Sequence, residues 1–140
     1  MKTQIRARLG IMMFLEYFIW GSWYVTLGTW LGSSLHFTGQ KIGLAAGTTA
    51  VGAMIAPFFV GLIDDKLFAT QRVLAVLHLL GGALLFAASQ QSAFSRIYMI
   101  LLLYCLCFMP TLALTNSLAF RQMRDPKEEF GPIRVLGTAG

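Results

Sequence analysis

Four blocks of this sequence are apolar on every side of a helix and are long enough, or nearly so, to cross a bilayer. They cover about residues 9–31, 42–63, 73–88 and 97–120, and a fifth apolar stretch opens at about residue 133. A hydrocarbon core about 30 Å thick needs roughly 20 helical residues. The third block is slightly short unless Arg72 and Gln90 reach toward the headgroups. No block shows a one-sided apolar stripe, so these helices would be greasy all round and would expose more apolar surface in water than a core of this size could hide. Composition agrees: 56% of residues are hydrophobic and 12% charged, with a mean hydropathy of +0.67. A soluble domain carries about 25% charged residues. The fold class expected is therefore all-α, a polytopic transmembrane helix bundle. The first block is too long for a signal-peptide core, lacks a small-residue cleavage site and is followed by further spans.

A formal charge of +5 and a pI near 9.6 would also suit a nucleic-acid binder. The basic residues, however, sit in short segments between apolar blocks rather than on one amphipathic face, and membrane topology accounts for that placement better than phosphate binding. Lys2, Arg6 and Arg8 precede the first block, Lys66 and Arg72 lie between the second and third, and Arg121, Arg124 and Lys127 follow the fourth. The opposite side has Lys41 and Arg96. By the positive-inside rule the N-terminus is expected in the cytoplasm and the chain as a multi-pass protein of the inner, cytoplasmic membrane. Cys105 and Cys107 lie within an apolar block with no second Cys or His pair spaced to complete a disulfide framework or a zinc site. They read as buried thiols, and no metal or cofactor is expected.

Small residues and prolines suggest how such helices pack. Gly28 with Gly32 and Gly43 with Gly47 form G-x-x-x-G pairs, and Gly81-Gly82 interrupts the third block. Positions of this kind let helix backbones approach closely in lipid. Pro57 and Pro110 fall inside blocks and free backbone carbonyls there, which is tolerated where neighbours or water satisfy them.

The segment between the second and third blocks reads Gly61-Leu62-Ile63-Asp64-Asp65-Lys66, with Arg72 six residues on. It resembles the cytoplasmic loop signature of the major facilitator superfamily, in which a glycine lets two helices approach and acidic and basic residues latch one conformation. Gly61, Asp65, Lys66 and Arg72 are the candidate loop motif; Phe68 stands where that family usually has a second glycine. Three longer stretches narrow the resemblance. Phe14-Leu15-Glu16-Tyr17-Phe18-Ile19-Trp20-Gly21-Ser22-Trp23, with Thr26-Leu27-Gly28 after it, is similar to the first helix of the nucleoside:proton symporters. Met109-Pro110-Thr111-Leu112 with Thr115-Asn116 resembles their fourth helix, and Phe130-Gly131-Pro132-Ile133-Arg134-Val135-Leu136-Gly137-Thr138 the opening of their fifth.

That resemblance implies a twelve-helix transporter whose two six-helix halves enclose a central nucleoside site, with this chain, residues 1–140, as the N-terminal part. It also implies that Arg134 and Thr138 contact substrate. The physics agrees, because an arginine just inside an apolar span is costly unless it faces a polar cavity. Arg134 and Thr138 are four residues apart, hence on one helix face. The guanidinium supplies donors for ribose hydroxyls or base carbonyls; the bland reading is that it snorkels to the headgroups. Glu16, roughly two turns into the first block, is either a titrating group in proton coupling or an interior hydrogen-bonding residue, and the resemblance does not require a carboxylate there. Trp20, Trp23 and Tyr24 recur near helical spacing with Glu16 and Tyr17, as a base-stacking face or as packing aromatics. Thr115 and Asn116 read as interhelical hydrogen bonders, with Asn116 a second candidate polar site. His78 reads as a neutral buried histidine, and His36 lies in a short outer loop.

The function expected is membrane permeation of nucleosides, proton-coupled and by alternating access. It involves no covalent chemistry and so is not that of an enzyme. The partners expected are nucleosides, protons, the lipid bilayer and the remaining helices of the transporter, with no nucleic acid. A four-helix small multidrug exporter would account for Glu16 and the length, but not for the charged segment 121–129 or the new apolar start at Ile133. A non-transporting membrane anchor or assembly subunit would leave Arg134, Thr138, Glu16 and Asn116 without a purpose.

Overall fold

The computed structural model describes residues 3–63, 69–123 and 125–140. Among them every regular element is a helix: α1 (Thr3–Thr29), extended by a π turn over Trp30–Ser34, then α2 (Gly39–Leu62), α3 (Thr70–Ser89), α4 (Phe94–Gln122) and α5 (Pro126–Ala139). The loop residues Asp65, Lys66 and Phe68, and the basic residues Lys2 and Arg124, lie outside the described residues.

The helices extend beyond the apolar blocks that suggested them. Hydropathy marks the part of a helix that suits lipid, whereas the backbone continues to its cap. Thus α3 starts at Thr70 and includes Arg72, and α4 runs on through Arg121. The largest difference is α5. The charged segment expected to precede a span opening at residue 133 is itself helical from Pro126, because Asp125 accepts a hydrogen bond from the Lys127 backbone N–H at 3.0 Å and proline occupies the first helical position. Among the described residues α2, α3 and α4 are long and apolar enough to cross a membrane. The 27-residue α1 has the length, but Glu16 and its Trp and Tyr residues dilute its apolar character.

The most buried helix is α4, packed mainly against α2 and α3, while α1 touches it less and packs mainly against α5. Three apolar clusters fill the bundle from end to end. Leu9 and Met13 of α1 meet Ala119, Met123 and Ile133 at one end. Ala56 packs with Tyr104, Cys105, Phe108 and Met109 in the middle, and Leu27, Leu31, Ala45, Ile97 and Leu101 close the other end. In lipid such contacts hold helices by close packing rather than by exclusion of water.

The small residues named from the sequence account for only some of the close approaches: at Gly81 an added Cβ would lie 3.2 Å from the Tyr104 ring of α4 and at Gly32 3.3 Å from Ile42. Gly43, Gly47, Gly61 and Gly82 face open space among the described residues, and Gly28 and Gly32 meet only the Ile42 side chain. Between α2 and α4 the tight contact is at Gly52, where an added Cβ would lie 2.7 Å from the Cys105 carbonyl oxygen. After the π turn His36 takes a φ of 53°, turning the chain so that the Phe37 N–H reaches the Leu31 carbonyl at 3.0 Å.

Candidate functional site

The polar side chains of the bundle fall into two groups on opposite faces of α1. The spacing of Glu16, Tyr17, Trp20, Trp23 and Tyr24 suggested a single face, but the structure divides it. Tyr17, Trp20 and Tyr24 turn toward α5, where with Thr138 and Gly137 they line a cavity of about 420 Å³. Glu16 turns the other way, toward α3 and α4. Trp23 packs edge-on against Tyr104 of α4, with ring centres 5.0 Å apart.

On the α5 side, Arg134 lies over two rings, 5.7 Å from the centre of Tyr17 and 5.8 Å from that of Phe130, within cation–π range. One of its nitrogens donates a long hydrogen bond of 3.5 Å to the Asn116 side-chain oxygen on α4. Thr138, one turn on, donates to the Arg134 carbonyl at 3.5 Å. Both Arg134 and Thr138 are exposed in these 140 residues. The rings restrict where the guanidinium can go, and among the described residues the Asn116 oxygen is its one side-chain acceptor, so further donors remain. Gly137 keeps α5 close to α1, since an added Cβ there would lie 2.9 Å from the Tyr17 ring.

On the other face, Glu16 is 2% exposed, deep between helices. One carboxylate oxygen is 3.0 Å from Nε2 of His78 on α3, and the other 2.5 Å from the Thr111 hydroxyl on α4. The carboxyl thus ties three helices together, which relieves the large cost of burying it at membrane depth. His78 is 28% exposed, and its Nδ1 lies 2.8 Å from the Leu74 carbonyl. It is therefore half-buried and paired with a carboxyl, where the sequence suggested a buried histidine. A signal for the pairing exists in the sequence. The first and third blocks enter the membrane from the same side, and Glu16 and His78 lie seven and five residues into them, a depth difference of about 3 Å.

The fourth helix also differs from expectation. Thr115 bonds within its own helix, to the Thr111 and Leu112 carbonyls at 2.9 and 3.0 Å, rather than across to a neighbour. Asn116 donates to the Leu112 carbonyl at 2.9 Å and reaches another helix only through its oxygen, toward Arg134. Of the loop motif, Gly61 ends α2 beside the undescribed residues and Arg72 lies in the first turn of α3, both exposed. Among the described residues no group of three or more His, Cys, Asp or Glu side chains is arranged to hold a metal.

Comparison with solved structures identifies this bundle as the N-terminal part of a major facilitator superfamily transporter fold. The chain superposes on the crystal structure of nucleoside transporter NupG with a TM-score of 0.91 at 31% identity, over 96% of this chain and 34% of that one. The sequence matches the nucleoside H+ symporter family over residues 1–140, and the chain belongs to that family. It is 46% identical to YegT of Escherichia coli (strain K12) over all of this chain and 32% of that protein. It is 39% identical to xanthosine permease and 31% identical to nucleoside permease NupG of the same organism, over 97% of this chain and 34% of each relative. The chain thus spans about a third of the length of the curated relatives it matches. Membership in this family sets aside the small-exporter reading.

Proposed function

We propose that these residues form the N-terminal part of a permease that carries nucleosides across the inner membrane with protons, by alternating access, with the N-terminus in the cytoplasm. The observation that carries the reading is the family match along the whole chain. Two of the relatives are named for nucleoside or xanthosine transport, which supports this substrate class. The excess of basic residues at the α1 N-terminus and between α2 and α3 supports the orientation.

In this reading Arg134 and Thr138 contact the nucleoside. Asn116 and the Tyr17 and Phe130 rings hold the guanidinium in place, leaving donors for ribose hydroxyls or base carbonyls. Tyr17, Trp20 and Tyr24, beside Thr138, offer ring faces to a base. Gly61, Asp65, Lys66 and Arg72 act at the cytoplasmic surface as the latch between conformations. Transport needs no covalent step, so no residue here serves as an enzyme nucleophile.

Uptake of radiolabelled nucleoside by the full-length protein tests the assignment. Arg134→Ala removes a charged donor worth about 1.5–3 kcal/mol, so uptake is expected to fall roughly 10- to 100-fold. Wild-type uptake by the variant would remove Arg134 from the site.

A further inference from the structure

We propose that Glu16 and His78, bridged to α4 through the Thr111 hydroxyl, form the site that takes up and releases the coupling proton; the proposal rests on the proton-driven permease reading above. The hydrogens of this cluster can be located by exclusion. The Leu74 carbonyl only accepts, so Nδ1 of His78, 2.8 Å away, carries a hydrogen. That leaves Nε2 as the one open position on the ring, 3.0 Å from Glu16 Oε2. A single proton in that gap satisfies both atoms and leaves the pair neutral as a whole.

The cluster also has a place for one proton more. Thr111 Oγ1 lies 2.5 Å from Glu16 Oε1 and 2.5 Å from the Phe108 carbonyl, and it has one hydrogen to give. While Glu16 is ionised, the hydroxyl donates to Oε1. When a proton is added to Oε1, the carboxyl donates to Oγ1 and the hydroxyl turns its own hydrogen to the Phe108 carbonyl. Throughout, Nε2–H continues to donate to Oε2. Uptake therefore adds one proton and one positive charge, release reverses both, and every polar atom of the cluster keeps a partner in either state. A buried ion pair that only joins helices needs no such second arrangement.

Two further features suit a proton site. A cavity of about 390 Å³ reaches Glu16 and His78 and is lined also by Arg8 and Thr115. It adjoins a second cavity of about 330 Å³ that shares Arg8 and Met12 and continues past Gln71 and Gln122, toward the end of the bundle where α1 begins. The charge of the cluster also bears on α4, the helix whose Asn116 holds Arg134. Thr111 and Asn116 are five residues apart, so one helix touches both the proton cluster and the proposed nucleoside contact. Among the described residues, the charged and titratable groups that line the same cavity as Glu16 are Arg8 on its own helix and His78 on α3. From α4, Tyr104 and Cys105 enter the adjoining core, while Arg134 of α5 lies across α1, over Tyr17.

The test uses the full-length protein in proteoliposomes with radiolabelled xanthosine and uridine. Counterflow, with nucleoside on both sides and no pH gradient, reads binding and alternating access; accumulation driven by an imposed pH gradient reads coupling. Glu16→Gln and His78→Gln are expected to keep counterflow and lose accumulation by about tenfold or more, with a flattened pH profile for Glu16→Gln. Accumulation unchanged in either variant overturns the proposal. If these variants do not fold, Thr111→Val and Thr111→Ser decide: the serine is expected to accumulate nucleoside and the valine not, and equal accumulation by the two overturns the relay. A wild-type protein that exchanges neither nucleoside would instead overturn the permease reading.

Discussion

Gly52 is the residue at which α2 and α4 touch backbone to backbone, and its missing side chain is what permits the contact. An added Cβ would lie 2.7 Å from the Cys105 oxygen, 2.9 Å from its carbonyl carbon and 2.9 Å from Met109 Cγ. Only the methionine can move aside. Gly52→Ala is expected to destabilise the full-length protein by about 1–3 kcal/mol, the usual cost of overpacking. Gly47→Ala, on the same helix but facing open space, is expected to stay within about 0.5 kcal/mol. Thermal unfolding in detergent compares the two, and equal midpoints would refute the contact. Residue spacing in the sequence pointed to Gly43 and Gly47 instead, because a G-x-x-x-G pattern records that two small residues share a face but not which face meets a neighbour. The same limit applies to Glu16 and His78. Their depths could be matched from the sequence, but only the helix rotations bring the carboxyl and the imidazole to 3.0 Å. Arg134 and Thr138 were more legible, since a charged residue four positions from a hydroxyl on one short helix needs no long-range information to be placed together.

At the scale of elements, hydropathy located the helices and capping set their ends. The first turn of α5 contains Glu128 and Glu129, acidic residues that suit a helix N-terminus, and follows an aspartate cap and a proline. All of these signals stand in the sequence, yet they lie outside the apolar stretch, and a reading based on membrane spans passes over them. The cap has a measurable consequence. Asp125→Ala removes the acceptor for the Lys127 N–H and is expected to cost about 1 kcal/mol. Hydrogen exchange of the first-turn amides of α5 should quicken about fivefold, while that of α4 is unchanged. Unaltered exchange would mean that the turn is held by its tertiary contacts, such as the stacking of Phe130 on Phe120 at 4.5 Å, rather than by its cap. The π turn after α1 has no comparable signal, and its Leu31 packs against Ala45, Ile97 and Leu101, which are distant in sequence.

For the whole molecule, the question is what these 140 residues can do without the rest of a transporter. A small-molecule site commonly buries 70–90% or more of its ligand. Here, among the described residues, the cavity beside Thr138 is bounded by α1, α5 and the Gly140 that follows it, and Arg134 and Thr138 are exposed. In the proposed reading this face is one wall of a nucleoside site, with Arg134 beside Asn116 and two rings, and a nucleoside on it would keep most of its surface in contact with whatever covers that face. Alternating access adds a second requirement, since it consists of one bundle rocking against another around a shared site. The relatives are about three times as long as this chain, which leaves room for the opposing bundle. The 140 residues in isolation are therefore expected to insert and fold as a helical bundle, because α4 already has neighbours on several sides, but not to transport. Reconstituted alone, they should show no nucleoside uptake above empty liposomes and no saturable binding, while the full-length protein shows both. Saturable uptake by the isolated chain would mean that it assembles a closed site from copies of itself, and the two-bundle reading would have to give way.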